Sequence, residues 1–367
     1  MTEPTSAIDT ESSGTWLHFL RQQGALPSGS TTIERHGFTM AGPSEQAEPG
    51  FFAPLPSLGL IAATGDDAAK FLHNQLTNDV ENLSPDEARL AGYCTAKGRL
   101  LATMLMWQSA GVITLQLPRE IQAAVQKRLQ MFIMRAKAKL ADVSEAQAAI
   151  GFAGSPAAAV LQRWFPSLPE RIWSATHGDA GTLIHLPDAD GLARYQWIAP
   201  VQRAIEAWPE LVASLPLQSE SAWRLQEIHA GLPQVVQATQ EKFVPQMINF
   251  EVIGGVNFRK GCYPGQEIVA RSQYLGKLKR RMLPAIIRTE GSESDVMAAP
   301  GDEIFSDTDP GQPAGQLVNV EFASKGEMHC LVELKTAALE SGALHLGSPS
   351  GPVLTMLPLP YALIDPT

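Results

Sequence analysis

The most chemically loaded stretch of the sequence is a cysteine set between cations and a turn. It reads Asn257-Phe258-Arg259-Lys260-Gly261-Cys262-Tyr263-Pro264-Gly265-Gln266-Glu267, with helical character from Gln266 to Arg271. Cys262 is therefore expected just ahead of a helix N-terminus, where the dipole and the charges of Arg259 and Lys260 favour thiolate over thiol. A thiol so placed can serve as nucleophile, acceptor or redox group; otherwise it is a small residue that only packs. The other cysteines, Cys94 and Cys330, sit in apolar strand-like runs and are expected to be buried. Three distant cysteines make no disulfide lattice or zinc framework, and they leave a four-thiolate iron-sulfur cluster one ligand short unless a second chain or another residue type supplies it. A protease-like pair needs a histidine beside the thiol, and sequence alone places none of the eight there, His73, His177, His229 and His329 included. Lys260-Gly261 lacks the rest of a Walker phosphate loop.

Charge is concentrated in the same region. Seven cations (Arg259, Lys260, Arg271, Lys277, Lys279, Arg280 and Arg281) stand against Glu267 alone, giving +6 in a chain of net −10, so the remainder carries −16. This predicts either a local anion site, for a polycarboxylate, a phosphate or RNA, or a solvated surface run. The acidic balance of the whole chain excludes a chain-wide nucleic-acid surface.

The elements that must position these residues alternate between α and β. An apolar run at 58–63 predicts a strand, followed by Gly65-Asp66-Asp67 and a capped helix through Phe71, Leu72 and Leu76. Runs at 90–96, 100–107 and 112–117 predict an antiparallel meander, then a helix over 120–130. Alternation continues through 150–152, 157–164 and 182–186; from Trp197 the chain is expected to turn helical, over 201–215 and 220–230, stopping at Gly231-Leu232-Pro233. Beyond Lys277, short apolar runs at 282–287, 314–320, 328–332 and 344–346, broken by Pro-Gly pairs, predict a small β-barrel.

At 367 residues the chain is too long for one core, and 44% hydrophobic with 18% charged residues excludes global disorder. No repeat suggests a solenoid, and no apolar run reaches the roughly 18 residues a spanning helix needs. The N-terminus has neither a basic nor an apolar leader region, so a cytoplasmic protein without membrane contact is expected. The expected organisation is a weakly ordered tail over 1–50 with one amphipathic turn at Trp16, Leu17, Phe19 and Leu20, an α+β region of two interleaved domains over 51–275, and a β-barrel domain over 276–367.

Lys260-Gly261-Cys262-Tyr263-Pro264-Gly265-Gln266-Glu267 resembles the K-G-C-Y-x-G-Q-E signature of the YgfZ family, within the superfamily of the glycine-cleavage T-protein. The likeness extends to Gln75-Leu76-Thr77-Asn78-Asp79-Val80 after Gly65-Asp66, to Ala96-Lys97-Gly98-Arg99, to Ile228-His229-Ala230-Gly231, and to Phe243-Val244-Pro245-Gln246 with Asn249. It covers residues 51–281 in order and spacing. The resemblance implies an α+β fold of three domains in a ring, with tetrahydrofolate or a derivative in the central opening and Cys262 near it. It also implies a part in maintaining iron-sulfur enzymes, those that methylthiolate tRNA included, with assembly or client proteins as partners. Direct tRNA contact, and a transient cluster shared with a partner, stay open.

Residue by residue, the resemblance makes Cys262 the functional thiol with Lys260 beside it. It carries ligand contacts to Trp223, His229, Asp79, Gln246, Asn249, Gln266, Tyr263, Lys97 and Arg99. Trp223 either stacks on a flat ring or packs beside Leu225 and Ile228. His229 stands where the T-protein branch has a glutamate that grips the pterin, and imidazole cannot reproduce a carboxylate's paired acceptors, which leaves Glu227 as a substitute acid. Asp79 either meets ligand or serves its turn, and Lys97 and Arg99 either face the folate tail or serve a hairpin. No acid occurs between Glu87 and Glu120, where the aminomethyltransferase branch carries a carboxylate at the folate nitrogen. Glycine cleavage is therefore disfavoured. The leading reading is a folate-binding accessory protein for iron-sulfur clusters; a folate-dependent one-carbon transferase and a folate-free thiol redox protein are the alternatives.

Overall fold

A computed structural model describes residues 16–24, 50–274, 278–289, 297–340 and 342–363. Lys277 lies outside the described residues. Within the expected tail, Trp16–Gln22 forms a helix (α1) that buries Trp16 and Leu20 in the same core as Phe52 and Trp208. The amphipathic turn is thus a docked element, because its two apolar side chains find an aromatic cluster to pack on.

Three antiparallel sheets make up the α+β fold. The first has the order β3-β4-β5-β2-β6, from Ala88–Cys94 (β3), Leu100–Ser109 (β4), Val112–Pro118 (β5), Leu58–Thr64 (β2) and Lys139–Asp142 (β6). The β3-β4-β5 meander matches the sequence reading, and helix α2 (Ala68–His73) follows β2 as expected. Asp67 stands at the start of α2 without capping it; its carboxylate accepts instead from Lys137 N at 2.7 Å, tying the helix start to the approach to β6. Helix α3 (Arg119–Gln130) covers this sheet, burying Ile121, Val125 and Leu129 at helical spacing.

The second sheet has the order β1-β7-β10-β9-β8. It takes β1 (Phe51–Pro54) from before the first sheet, then Gln147–Ala153 (β7), Ala175–Gly178 (β8), Gly181–Ala189 (β9) and Leu192–Pro200 (β10). Helices α4 (Ser155–Leu161) and α5 (Val201–Ser214) pack on it. The helix expected over 201–215 runs Val201–Ser214, while the residues from Trp197 to Pro200 that lead into it are still strand. Trp197 pairs with Ile150 and Leu183 in mid-sheet and is fully buried, and the helix starts only after Pro200, which cannot continue the ladder as a donor.

The third sheet closes almost into a barrel, in the order β15-β12-β13-β14-β11-β16. Its strands are Arg280–Arg288 (β11), Glu303–Ser306 (β12), Gly315–Ser324 (β13), Glu327–Lys335 (β14), Leu344–Leu346 (β15) and Leu354–Met356 (β16). A single bridge from His345 to Val353 brings the two edges together, which shields them from stray pairing. Helix α6 (Glu220–His229) joins the sheets, and α7 (Gln266–Tyr274) follows the cysteine loop.

Candidate functional site: a cavity on helix α6 and a separate cysteine loop

Ser219 caps α6 by accepting from Ala222 N, and the next turns carry Glu220, Arg224 and Glu227 on one face through spacings of four and three. Each reaches a different sheet. Glu220 accepts from Ser57 N at 3.1 Å and Ser57 Oγ at 2.5 Å, between β1 and β2. Arg194 of β10 donates to Glu227 at 2.8 Å, and Arg224 donates to Glu321 of β13 at 2.6 Å. One helix is therefore pinned to all three sheets by polar contacts, most of them shielded from water.

Against this face lies a cavity of about 740 Å3, lined by Gln116, Gln196, Glu220, Trp223, Arg224, Glu227, Gln234 and Asn319 among others. Its size is that of a ligand pocket, and the third sheet closes it through Pro300, Asn319 and Val320. Burial is the largest influence on Glu220 and pushes it up to about 7; Arg224 and the Ser57 hydrogen bonds oppose the rise. Glu220 Oε2 is buried without a hydrogen bond, with Arg224 Nη1 at 3.6 Å as its charged neighbour in the wall.

Of the candidate residues read from sequence, Glu227, the substitute acid, lines this cavity, and so does Trp223. Its indole is 3% exposed, rests on the Gly151 backbone of β7, and has the Arg194 guanidinium 5.0 Å from the ring centroid. Little of its face is left to stack on a ligand. His229 is turned away: Nδ1 meets Asp190 Oδ2 and Nε2 meets His329 Nδ1, both at 2.6 Å. Glu227, two residues earlier, borders the cavity together with Glu220 of the same helix.

Other candidates hold the chain together. Asn249 adopts φ +55°, and its Nδ2 donates to Met282 O at 2.8 Å, while fully buried Gln246 donates to Val269 O at 2.8 Å. Gln266 Oε1 accepts from Tyr263 N at 3.3 Å. Arg99 donates to Lys242 O, and Lys97 stands exposed in the β3–β4 turn. Asp79 serves its turn by accepting from Asn82 N at 3.1 Å and Asn82 Nδ2 at 2.8 Å.

The cysteine loop is a distinct structure, and no residue of 257–271 lines the cavity. Cys262 sits on a loop docked against the first sheet, where backbone contacts fix it. Gly265 has φ +82°, and a Cβ added to it would lie 2.4 Å from Thr95 O and 2.6 Å from Gly98 backbone atoms. Pro264-Gly265 and Ala96-Lys97-Gly98-Arg99, far apart in sequence, are thus two faces of one backbone contact that only glycine admits. Lys260 Nζ donates to the carbonyls of His73 and Leu76, just past α2, and lies 4.8 Å from the Tyr263 ring centroid. Burial lowers Lys260 to about 8 against the pull of Asp79, Cys262 and Glu81. Burial likewise raises the Tyr263 phenol. Cys262 itself is exposed, whereas Cys94 and Cys330 are buried, their thiols pushed up to about 12.

The +6 cluster is partly spent inside the fold. Arg280 Nη1 donates to both oxygens of Glu333 at 2.8 Å, and buried Arg281 pairs with Glu251 at 2.5 Å. Arg259, Arg271 and Lys279 remain exposed. Sequence reasoning missed Glu220, Arg224, Gln116 and Gln196 as site residues; the signal available was the Ser219 cap with Glu220 and Arg224 four apart, which names a helix face but not what it faces.

Three sheets around a cavity, hinged on one helix, define the fold class of the glycine-cleavage aminomethyltransferases. The aminomethyltransferase T of the glycine cleavage system from Bartonella henselae superposes with a TM-score of 0.68, covering 84% of each chain at 14% identity, which is a likeness of fold. No family model matches the chain. It is 30% identical over 318 residues to the tRNA-modifying protein YgfZ of Colwellia psychrerythraea, covering 86% of this chain and 94% of that one. The YgfZ of Yersinia pseudotuberculosis is 28% identical over 314 residues, covering 85% and 92%. The chain belongs to the YgfZ family. Among the described residues no helix is long and apolar enough to cross a membrane.

Proposed function

We propose that this protein is a folate-binding accessory factor in tRNA modification, acting by assembly or repair of iron-sulfur clusters in client enzymes, with Cys262 as its functional thiol. The observation that carries the folate part is the α6 cavity, in a chain of this family and fold. Its donor set fits a pterin: the ring edge presents N–H donors that want a carboxylate, and Glu227 offers one with Arg194 on only one of its oxygens. Gln234 can meet further donors and acceptors, Gln116 and Gln196 are joined amide to amide and offer what capacity that pair leaves, and Glu220 adds the oxygen without a hydrogen bond. The iron-sulfur part rests on the exposure of Cys262 and on the signature around it.

Two measurements test the reading separately. Calorimetry should show tetrahydrofolate binding to wild type, about tenfold weaker binding to Glu227→Gln through loss of one charged hydrogen bond, and affinity within about twofold of wild type for Cys262→Ser. Absent binding, or equal affinity in Glu227→Gln, overturns the ligand site. In cells, Cys262→Ser should lower tRNA methylthiolation and the activity of iron-sulfur enzymes; unchanged levels overturn the role of the thiol. Transfer of labelled one-carbon units with turnover would instead establish the transferase alternative.

A further inference from the structure

Beside the cysteine loop lies a buried histidine that nothing above employs. His73, the last residue of α2, is 7% exposed. Its Nδ1 donates to Asp79 Oδ1 at 3.0 Å, with Glu81 Oε2 at 3.8 Å. The carboxylate acceptor assigns the proton to Nδ1, against a long 3.5 Å approach of the Glu81 N–H to the same atom, and leaves the lone pair on Nε2. Among the described residues Nε2 has no protein hydrogen bond, and it points at the loop, since a Cβ built on Gly261 would lie 3.4 Å from it. The atom is not sealed from water: Nε2 opens to solvent beside the exposed Gly261 and is free to take a proton.

The cysteine stands one residue further along the loop, and no hydrogen bond joins its Sγ to Nε2. Cys262 follows Gly261 by one peptide, about 3.8 Å between Cα atoms, and its side chain is exposed. The loop is clamped in place on both sides, by Gly265 against Gly98 and by Lys260 Nζ on the carbonyl of His73 itself. The charged groups around the ring are Asp79, Glu81 and Lys260, with Arg89 beyond, donating to the Asp79 carbonyl at 2.9 Å. Burial works against the Asp79 carboxylate, yet hydrogen bonds from Asn82 and the charges of His73 and Arg89 hold it below its ordinary value. Asp79 is thus an anion ready to balance an imidazolium.

We propose that His73, oriented by Asp79, is the acid–base partner of the Cys262 thiol. With the exposed Cys262 side chain turned toward Nε2, the S–H bond breaks with its electron pair staying on sulfur and the proton bonds to the Nε2 lone pair, which leaves a thiolate and an imidazolium held against Asp79 and Glu81. The arrangement follows the thiol–imidazole–carboxylate logic of activated cysteines. It deepens the reading of Cys262 as the functional thiol, and its test reads sulfur chemistry alone, without folate, tRNA or a client.

Because Cys94 and Cys330 are buried with raised thiols, native-state alkylation by iodoacetamide reports Cys262. At pH 7 the rate should fall about tenfold in His73→Gln and several-fold in Asp79→Asn, and both should converge on wild type near pH 10, where hydroxide ionises the thiol unaided. Rates unchanged at pH 7, or lowered by one factor at every pH, overturn the proposal. Wild-type protein gives a check that survives misfolding of either variant: alkylating Cys262 should move the His73 Cε1–Hε1 resonance, and a resonance that stays put also overturns it.

Discussion

The α6 cavity and the cysteine loop are built on opposite plans. The cavity is made by side chains from three sheets meeting over one helix face, with a carboxylate oxygen left without a hydrogen bond and room for a guest. The loop is made by backbone on backbone, glycine against glycine, with a lysine spent on carbonyls and an exposed sulfur as its open chemistry. The segment richest in motif is thus the one most committed to holding itself still. A ligand site can be assembled from residues that look ordinary one by one, whereas a reactive group needs a rigid mount, and rigidity is what a dense local pattern encodes.

The most damaging way to break the loop is at its glycine contact. Gly265→Ala adds a Cβ 2.4 Å from a carbonyl oxygen at a residue with φ +82°. Left-handed strain of about 1–2 kcal/mol and overpacking of about 1–3 kcal/mol predict a loss near 4 kcal/mol in urea unfolding. A loss below about 1 kcal/mol would show that the two turns are not in contact. Where folding survives, tetrahydrofolate affinity should change less than the alkylation rate of Cys262, because the cavity shares no lining with the loop.

The cavity is probed by its buried acid. Glu220 is raised to about 7 from 4.5, so the folded protein holds this proton more tightly than the unfolded chain does. The resulting stabilisation is complete below about pH 4.5 and is lost as pH rises through about 7. Glu220→Gln keeps an acceptor for Ser57 while removing the charge. It should match wild type near pH 4.5 and exceed it at pH 8 by about 2 kcal/mol. Denaturation midpoints across that range decide the matter, and a variant less stable at pH 8 would mean that the Arg224 pairing outweighs desolvation.

Legibility in the sequence followed the range of the interactions. The β3-β4-β5 meander, α3, α6 and β15 could be read because periodicity and turn chemistry are local. The start of α7 at Gln266 followed from Pro264-Gly265 in the same way. What escaped depends on distant partners. Phe51–Pro54 joins β7 nearly a hundred residues on, Trp197 is a strand residue only because Ile150 and Leu183 flank it, and Ser57 holds Glu220 across 163 positions. Trp223 was legible as an indole on a helix but not as one roofed by Arg194 and floored by Gly151, both in the second sheet.

The same reason governs the smallest effect. Read along the chain, seven cations make one patch; read in space, Glu333 and Glu251 neutralise Arg280 and Arg281, and Lys260 faces inward to carbonyls. Removing the exposed charges Arg271 and Lys279 by Arg271→Glu with Lys279→Glu should therefore weaken binding of a polyglutamate or RNA probe only about two- to fivefold at low salt, with the difference vanishing near 0.5 M. A loss of a hundredfold or more would require the paired arginines to turn outward and bind the anion as well. That would cost the Arg281–Glu251 pair its burial, and Arg280→Ala separates the two cases: weakened probe binding marks a working site, unchanged binding a solvated run.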